Sequence, residues 1–132
     1  SGAVIVTTPQ DIALLDARKA LKMFEKVEIP VLGVIENMST HICSECGHEE
    51  AIFGTGGGER MAAEYGVDIL GGIPLDIRIR EDADGGRPTV VADPDGPVAA
   101  NYRTIARQVA GRLAARKRNY SEVFPSIVVQ NT

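Results

Sequence analysis

Cys43-Ser44-Glu45-Cys46-Gly47 is the most chemically specific string in the sequence. Two thiols three residues apart share one tight turn, and the following glycine relieves that turn, so both sulfurs can reach one metal centre. Two thiolates are half of a tetrahedral zinc site, and half of the four-Cys set of an iron–sulfur cluster. The other half has two candidate sources. His41 and His48 flank the pair and would complete a local His-x-Cys-x-x-Cys-x-His zinc site. The same two cysteines of a second copy would complete a centre bridged across a two-fold axis. A thioredoxin-like redox pair is a third reading, but that motif opens a helix after a strand, whereas this one lies among glycines and histidines. The plain alternative is a reduced pair in a surface hairpin without a ligand.

The run Gly54-Thr55-Gly56-Gly57-Gly58 invites a phosphate-loop reading that its neighbours do not support. No Gly-x-x-x-x-Gly-Lys followed by Ser or Thr occurs in the chain, and Glu59 stands where a dinucleotide fingerprint needs its third glycine. The run is expected to be a flexible entry to a helix near Met61. Glu36-Asn37-Met38-Ser39 is expected just past the carboxyl end of a strand, where ligands bind in open α/β sheets. The Asn37 amide offers a donor and an acceptor side by side, matching the N6 and N7 edge of adenine. Ile73-Pro74-Leu75-Asp76 ends another strand at the same edge and could wall a base.

The elements that must position these groups read as strand, helix, strand. Ala3–Val6 is a β-branched run of buried-strand type. Thr8 is expected to cap a helix whose first position is Pro9, with Leu14, Ala17, Leu21 and Phe24 on its apolar face. Val31–Ile35 is a second buried strand, completing a βαβ unit whose crossover is right-handed. Residues 37–58 read as an irregular loop holding the cysteines. A short helix is expected over Gly58–Tyr65, then a third strand from Asp68 that ends at Pro74. Residues 76–97 read as a loop-rich return. Pro97 opens a long helix with Val98, Tyr102, Ile105, Val109 and Leu113 on one face and arginines on the other. The division is residues 1–116 as the α/β portion and 117–132 as a polar tail.

Composition fits that picture. The 132 residues are 44% hydrophobic and 24% charged, which excludes disorder and collagen-like sequence. No apolar run approaches the roughly 18 residues of a membrane-spanning helix, so no membrane partner is expected. A net charge of −4, no Trp and 5% aromatics argue against nucleic acid as a partner. The basic residues between 97 and 118 are the solvated face and C-terminal end of a helix. Two reduced cysteines and no signal-peptide pattern point to a cytoplasmic setting. The chain opens abruptly on a buried strand whose apolar edge would be bare, which reads as part of a larger domain whose N-terminal half is absent.

The ordered strings Thr7-Thr8-Pro9-Gln10-Asp11-Ile12-Ala13-Leu14, Val34-Ile35-Glu36-Asn37-Met38-Ser39, Cys43-x-x-Cys46-Gly47-His48, Phe53-Gly54-x-Gly56-Gly57-Gly58 and Ile73-Pro74-Leu75-Asp76 resemble one family. It is the Mrp/ApbC-type iron–sulfur cluster carrier ATPases, relatives of the MinD and nitrogenase iron-protein group of P-loop NTPases. The likeness covers nearly the whole chain and fades in the last dozen residues. It implies a partial doubly wound parallel sheet in three layers, with the phosphate-binding half upstream of Ser1. It implies a homodimer that assembles a [4Fe–4S] cluster between subunits and passes it to apo iron–sulfur proteins, with ATP and magnesium used by the longer parent. Carried over by position, Cys43 and Cys46 would hold the cluster, and Asn37 would contact adenine with Pro74, Leu75 and Asp76 near the base. Gln10 would lie near the nucleotide or the dimer seam. Ser44-Glu45 replaces a proline common between the family's cysteines, which leaves the sulfur spacing intact. Without the phosphate loop this chain is expected not to hydrolyse ATP. The competing reading is a zinc-stabilised interaction module without enzymatic activity. A nicotinamide-dependent dehydrogenase half is weakened by the missing glycine fingerprint.

Overall fold

A computed structural model describes residues 1–116; the expected polar tail, 117–132, lies outside the described residues. The order is β1 (Ala3–Thr7), α1 (Asp11–Lys26), β2 (Val31–Ile42), β3 (Glu49–Glu50), α2 (Gly57–Glu64), β4 (Ile69–Leu75), α3 (Ile77–Asp84), α4 (Thr89–Ala92) and α5 (Pro97–Ala115). β2 is the centre of the sheet. It pairs in parallel with β1 (Ile5 opposite Val34) and with β4 (Asn37 opposite Ile73). β3 returns antiparallel on the far end of β2, with His41 opposite Glu50 and Ile42 opposite Glu49.

The layers follow from which side chains must leave water. α1 and α2 cross over on one face, where Ile5, Leu14, Ala17, Leu21, Val34, Met61 and Ala62 form the larger core. Successive right-handed crossovers moving the same way across a sheet fall on one face, so the two helices share it. α5 covers the other face, packing Ile105 against Leu70 and Ile73 with Tyr102 and Val109 beside them. The result is the three-layer α/β architecture the sequence implies. Leu21, Val34 and Met61 are essentially sealed from solvent, and each such side chain contributes about 1.5–3 kcal/mol relative to exposure.

Four local expectations are corrected. α1 begins at Asp11 with Gln10 as its extended N-cap. Thr8 does not cap it: its hydroxyl donates to Gln10 Oε1 at 2.6 Å. β2 does not stop at Ile35 but runs on to Ile42, because β4 supports it through His41 and β3 pairs with its end. Much of the segment expected to be irregular is therefore a β-hairpin root. β4 passes through Pro74 to Leu75; its described pairing is with β2 alone, and an edge strand tolerates a missing N–H. The 76–97 return is largely helical, since Asp76 caps α3 and Gly85 ends it.

Candidate functional site

The cysteine turn is fixed at both ends by the hairpin. Cys43 N–H donates to His48 C=O at 2.9 Å, and Gly47 N–H donates back to Cys43 C=O at 2.9 Å. Gly47 closes this turn at a φ of +70°, in the left-handed region where a side chain is strained. Within the turn the polar groups that bear on the Cys43 sulfur are the Cys46 N–H first, then the Glu45 N–H and the Cys46 thiol. These hold the Cys43 thiol below its ordinary range, against opposing pushes from desolvation and the Glu50 carboxylate. Donors aimed at sulfur favour the thiolate, the form that ligates metal. Cys43 is half-buried, Cys46 is exposed, and both are free thiols.

The histidines do not complete a one-chain site. Among the described residues, no three His, Cys, Asp or Glu side chains are gathered closely enough to hold a metal ion. His41 is opposite Leu75 on β4, near enough to Asp76 for its charge to favour that carboxylate. The local four-ligand zinc arrangement is thus not assembled, and two sulfurs remain as the donor set.

The carboxyl edge of the parallel strands gathers the other candidates unevenly. A cleft of about 220 Å³ opens between the far half of β2, β4 and the start of α5, with Ser39, Thr40, Glu49, Pro74, Pro97 and Asn101 in its walls. Pro74 is the expected residue that lines it. Asn37 sits two positions before Ser39 on β2, and its Oδ1 accepts from Met38 N–H at 3.0 Å. Met38 has a φ of +54°, and the pairing with β4 slips between Asn37 and His41. Such a bulge re-aims the side chains that follow. Asp76 is 5% exposed, accepts from Arg78 N–H at 2.9 Å and binds the Arg78 guanidinium. That guanidinium, foremost among its neighbours, holds the Asp76 carboxyl below the usual range. Gln10 lies at the start of α1, its amide oxygen taken by Thr8.

Asn101 and Thr40 were not legible as site residues. Asn101 Nδ2 donates to Gly72 C=O at 2.7 Å, tying α5 to β4 beside the cleft. Thr40 hydroxyl donates to Glu49 Oε1 at 2.6 Å across the hairpin root. No motif marks either residue; each is found only once β2 is known to extend past Asn37. A wider depression of about 280 Å³, with Leu21, Glu25, Pro30 and Val67 in its walls, lies at the opposite end of β2 from the cysteines.

The end of the glycine run is packed, while Gly54 and Thr55 are exposed. Gly57 and Gly58 are buried in the first turn of α2. A Cβ on Gly57 would come within 2.8 Å of Pro9 C=O and of Leu14. Glu36 Oε2 accepts from Gly58 N–H at 2.7 Å, so a carboxylate already occupies the helix N-terminus a phosphate would need.

Comparison with known proteins bears on the family and the fold. The family described as "ParA: NUBPL iron-transfer P-loop NTPase" matches residues 1–110. An "Iron-sulfur cluster carrier protein" of Pseudomonas fragi is 61% identical over 106 residues, covering 80% of this chain and 37% of the relative. The protein of the same name from Escherichia coli K12 is 59% identical over 113 residues, covering 86% of this chain and 31% of the relative. The chain thus spans about a third of the length of these relatives. The crystal structure of the Pyrococcus furiosus cell division ATPase MinD superposes with a TM-score of 0.63 at 24% identity, covering 83% of this chain and 42% of that one. That likeness shows the fold. The profile match over residues 1–110 establishes that this chain belongs to the ParA-type NUBPL iron-transfer P-loop NTPase family.

Proposed function

We propose that this chain is the cluster-holding and base-contacting portion of an iron–sulfur cluster carrier ATPase. Its cargo is a [4Fe–4S] cluster bound by Cys43 and Cys46 of two copies and delivered to apo iron–sulfur proteins. The observation that carries the reading is the turn itself: two free thiols on one hydrogen-bonded hairpin turn, with no third donor gathered beside them among the described residues. A cubane cluster takes four thiolates, and a two-fold homodimer supplies four from two such turns. The names of the curated relatives support an iron–sulfur cluster as the cargo.

The cleft that Pro74 lines is the base subsite of this proposal, with Asn37, Leu75 and Asp76 contributing from outside its walls and Gln10 near the phosphates or the dimer seam. Asp76 acts there by holding the β4–α3 corner, since its oxygens are already bound to Arg78. ATP with magnesium belongs to the longer protein, because the sequence holds no loop for the β- and γ-phosphates. Among the described residues no helix is long and apolar enough to cross a membrane. Reduced thiols accord with work in the cytoplasm.

Anaerobic reconstitution with iron and sulfide tests the cargo. The wild-type chain is expected to turn brown with broad visible absorbance, four irons and two chains per cluster. C43A/C46A should stay colourless. Equal iron and sulfide uptake by that double variant ends the proposal. One zinc per monomer with no brown species instead favours an interaction module.

A further inference from the structure

We infer that one copy of this chain, without a partner, is a complete receptor for a soft monovalent cation, copper(I), held between the Cys43 and Cys46 sulfurs. The inference rests on the same turn as the cluster reading but needs neither a second copy nor sulfide.

The argument is one of coordination number. Zinc takes four ligands, and so leaves a single copy two donors short. Copper(I) is soft, selects thiolate sulfur and is satisfied by two ligands in line. The turn supplies two, and no third His, Cys, Asp or Glu is gathered with them among the described residues. The bonds from Cys43 N–H to His48 C=O and from Gly47 N–H to Cys43 C=O keep the sulfurs on one turn before any metal arrives. A pre-ordered bidentate ligand loses little conformational freedom on binding. One monovalent cation with two thiolates leaves a single negative charge at the centre. Glu45, Glu49 and Glu50 on the hairpin attract a cation without reaching it. Exposure of Cys46 leaves the entry open.

Binding is a ligand substitution with no change of oxidation state. Two S–H bonds ionise, two copper–sulfur bonds form, and both protons pass to buffer. Because the same sulfurs serve the cluster, copper(I) and cluster exclude one another.

The test is an anaerobic titration of the reduced 132-residue chain with copper(I) against a coloured copper(I) chelator, with sedimentation run in parallel. The expected result is one copper withdrawn from the chelator per chain, an unchanged monomer mass, and loss of uptake in both C43S and C46S. H41A/H48A should bind as the wild type does. Half a copper per chain with doubled mass, full retention by the chelator, or uptake by C43A/C46A overturns the inference. The same preparation is then given iron and sulfide. A brown cluster without copper uptake removes only the copper site, and copper uptake without a brown cluster removes only the cluster. Prior copper loading should abolish cluster formation where both occur.

Discussion

Glu36 on β2 caps α2 from across the molecule: its Oε2 accepts the Gly58 N–H at 2.7 Å. The two residues are 22 positions apart, and the cysteine hairpin is the chain between them. The strand that leads into the hairpin and the helix that leaves it are thereby joined at their near ends. Gly57, one residue earlier, presses on the Pro9 carbonyl and on Leu14, which ties the same helix end to the start of α1.

That junction predicts an ordering of damage. E36A removes a helix cap and is expected to lower stability by about 0.5–2 kcal/mol. G57A forces a methyl group against backbone that cannot yield, and should cost about 1–3 kcal/mol. Urea unfolding of the two variants checks this; a G57A protein as stable as wild type contradicts the close approach.

Asp76 predicts an acid-dependent contribution. Arg78 depresses its carboxyl in the folded chain, while the unfolded value is about 3.9. The stabilisation is therefore complete above about pH 4 and is lost as pH falls through the lower, folded value. D76A should lose about 1 kcal/mol at neutral pH, the usual cost of a missing cap, with the half-exposed Arg78 adding little. D76N keeps a cap acceptor, so it should lose less and show a shallower acid limb than wild type. Denaturant midpoints measured from pH 7 down to pH 3 decide it.

The hairpin predicts which neighbours of the thiols matter. H41A/H48A should take up iron and sulfide as wild type does, since neither ring is gathered with the sulfurs. G47A should reconstitute poorly, because a left-handed φ of +70° costs a side chain about 1–2 kcal/mol. Visible absorbance per chain after reconstitution separates the two cases; equal loss in both variants would favour histidine ligation.

The nucleotide edge predicts a dependence on chain length. The 132-residue chain alone should release no phosphate from ATP with magnesium, and measurable release would show a phosphate site the sequence does not reveal. In the longer protein, N37A should weaken ATP binding by about tenfold, the scale of a lost base-edge contact of about 1–3 kcal/mol. Equilibrium binding of a fluorescent ATP analogue reads that change.

Much of the frame was legible because its signals are local. Leu14, Ala17 and Leu21 repeat with helical period, and all three are buried where that period puts them. The spacing of Cys43 and Cys46 placed both thiols on one short turn, as the hairpin does. What escaped depends on pairing between distant segments. The run from Glu36 to Ile42 looks polar and irregular, yet β4 and β3 make it strand. α3 carried a readable start and stop, Asp76 and Gly85, but its charged residues and the glycines after it resembled a loop. Glu36 as a cap had no sequence signature, because capping partners are normally sought within three residues.

The left-handed Met38 gives β2 a fixed parity. Side chains along a strand alternate faces, and one irregular residue resets that count between Asn37 on the sheet and Cys43 at the turn. Along residues 38–42 a two-residue change of length keeps the side chains that follow on their face, and a one-residue change does so only where a further bulge absorbs it.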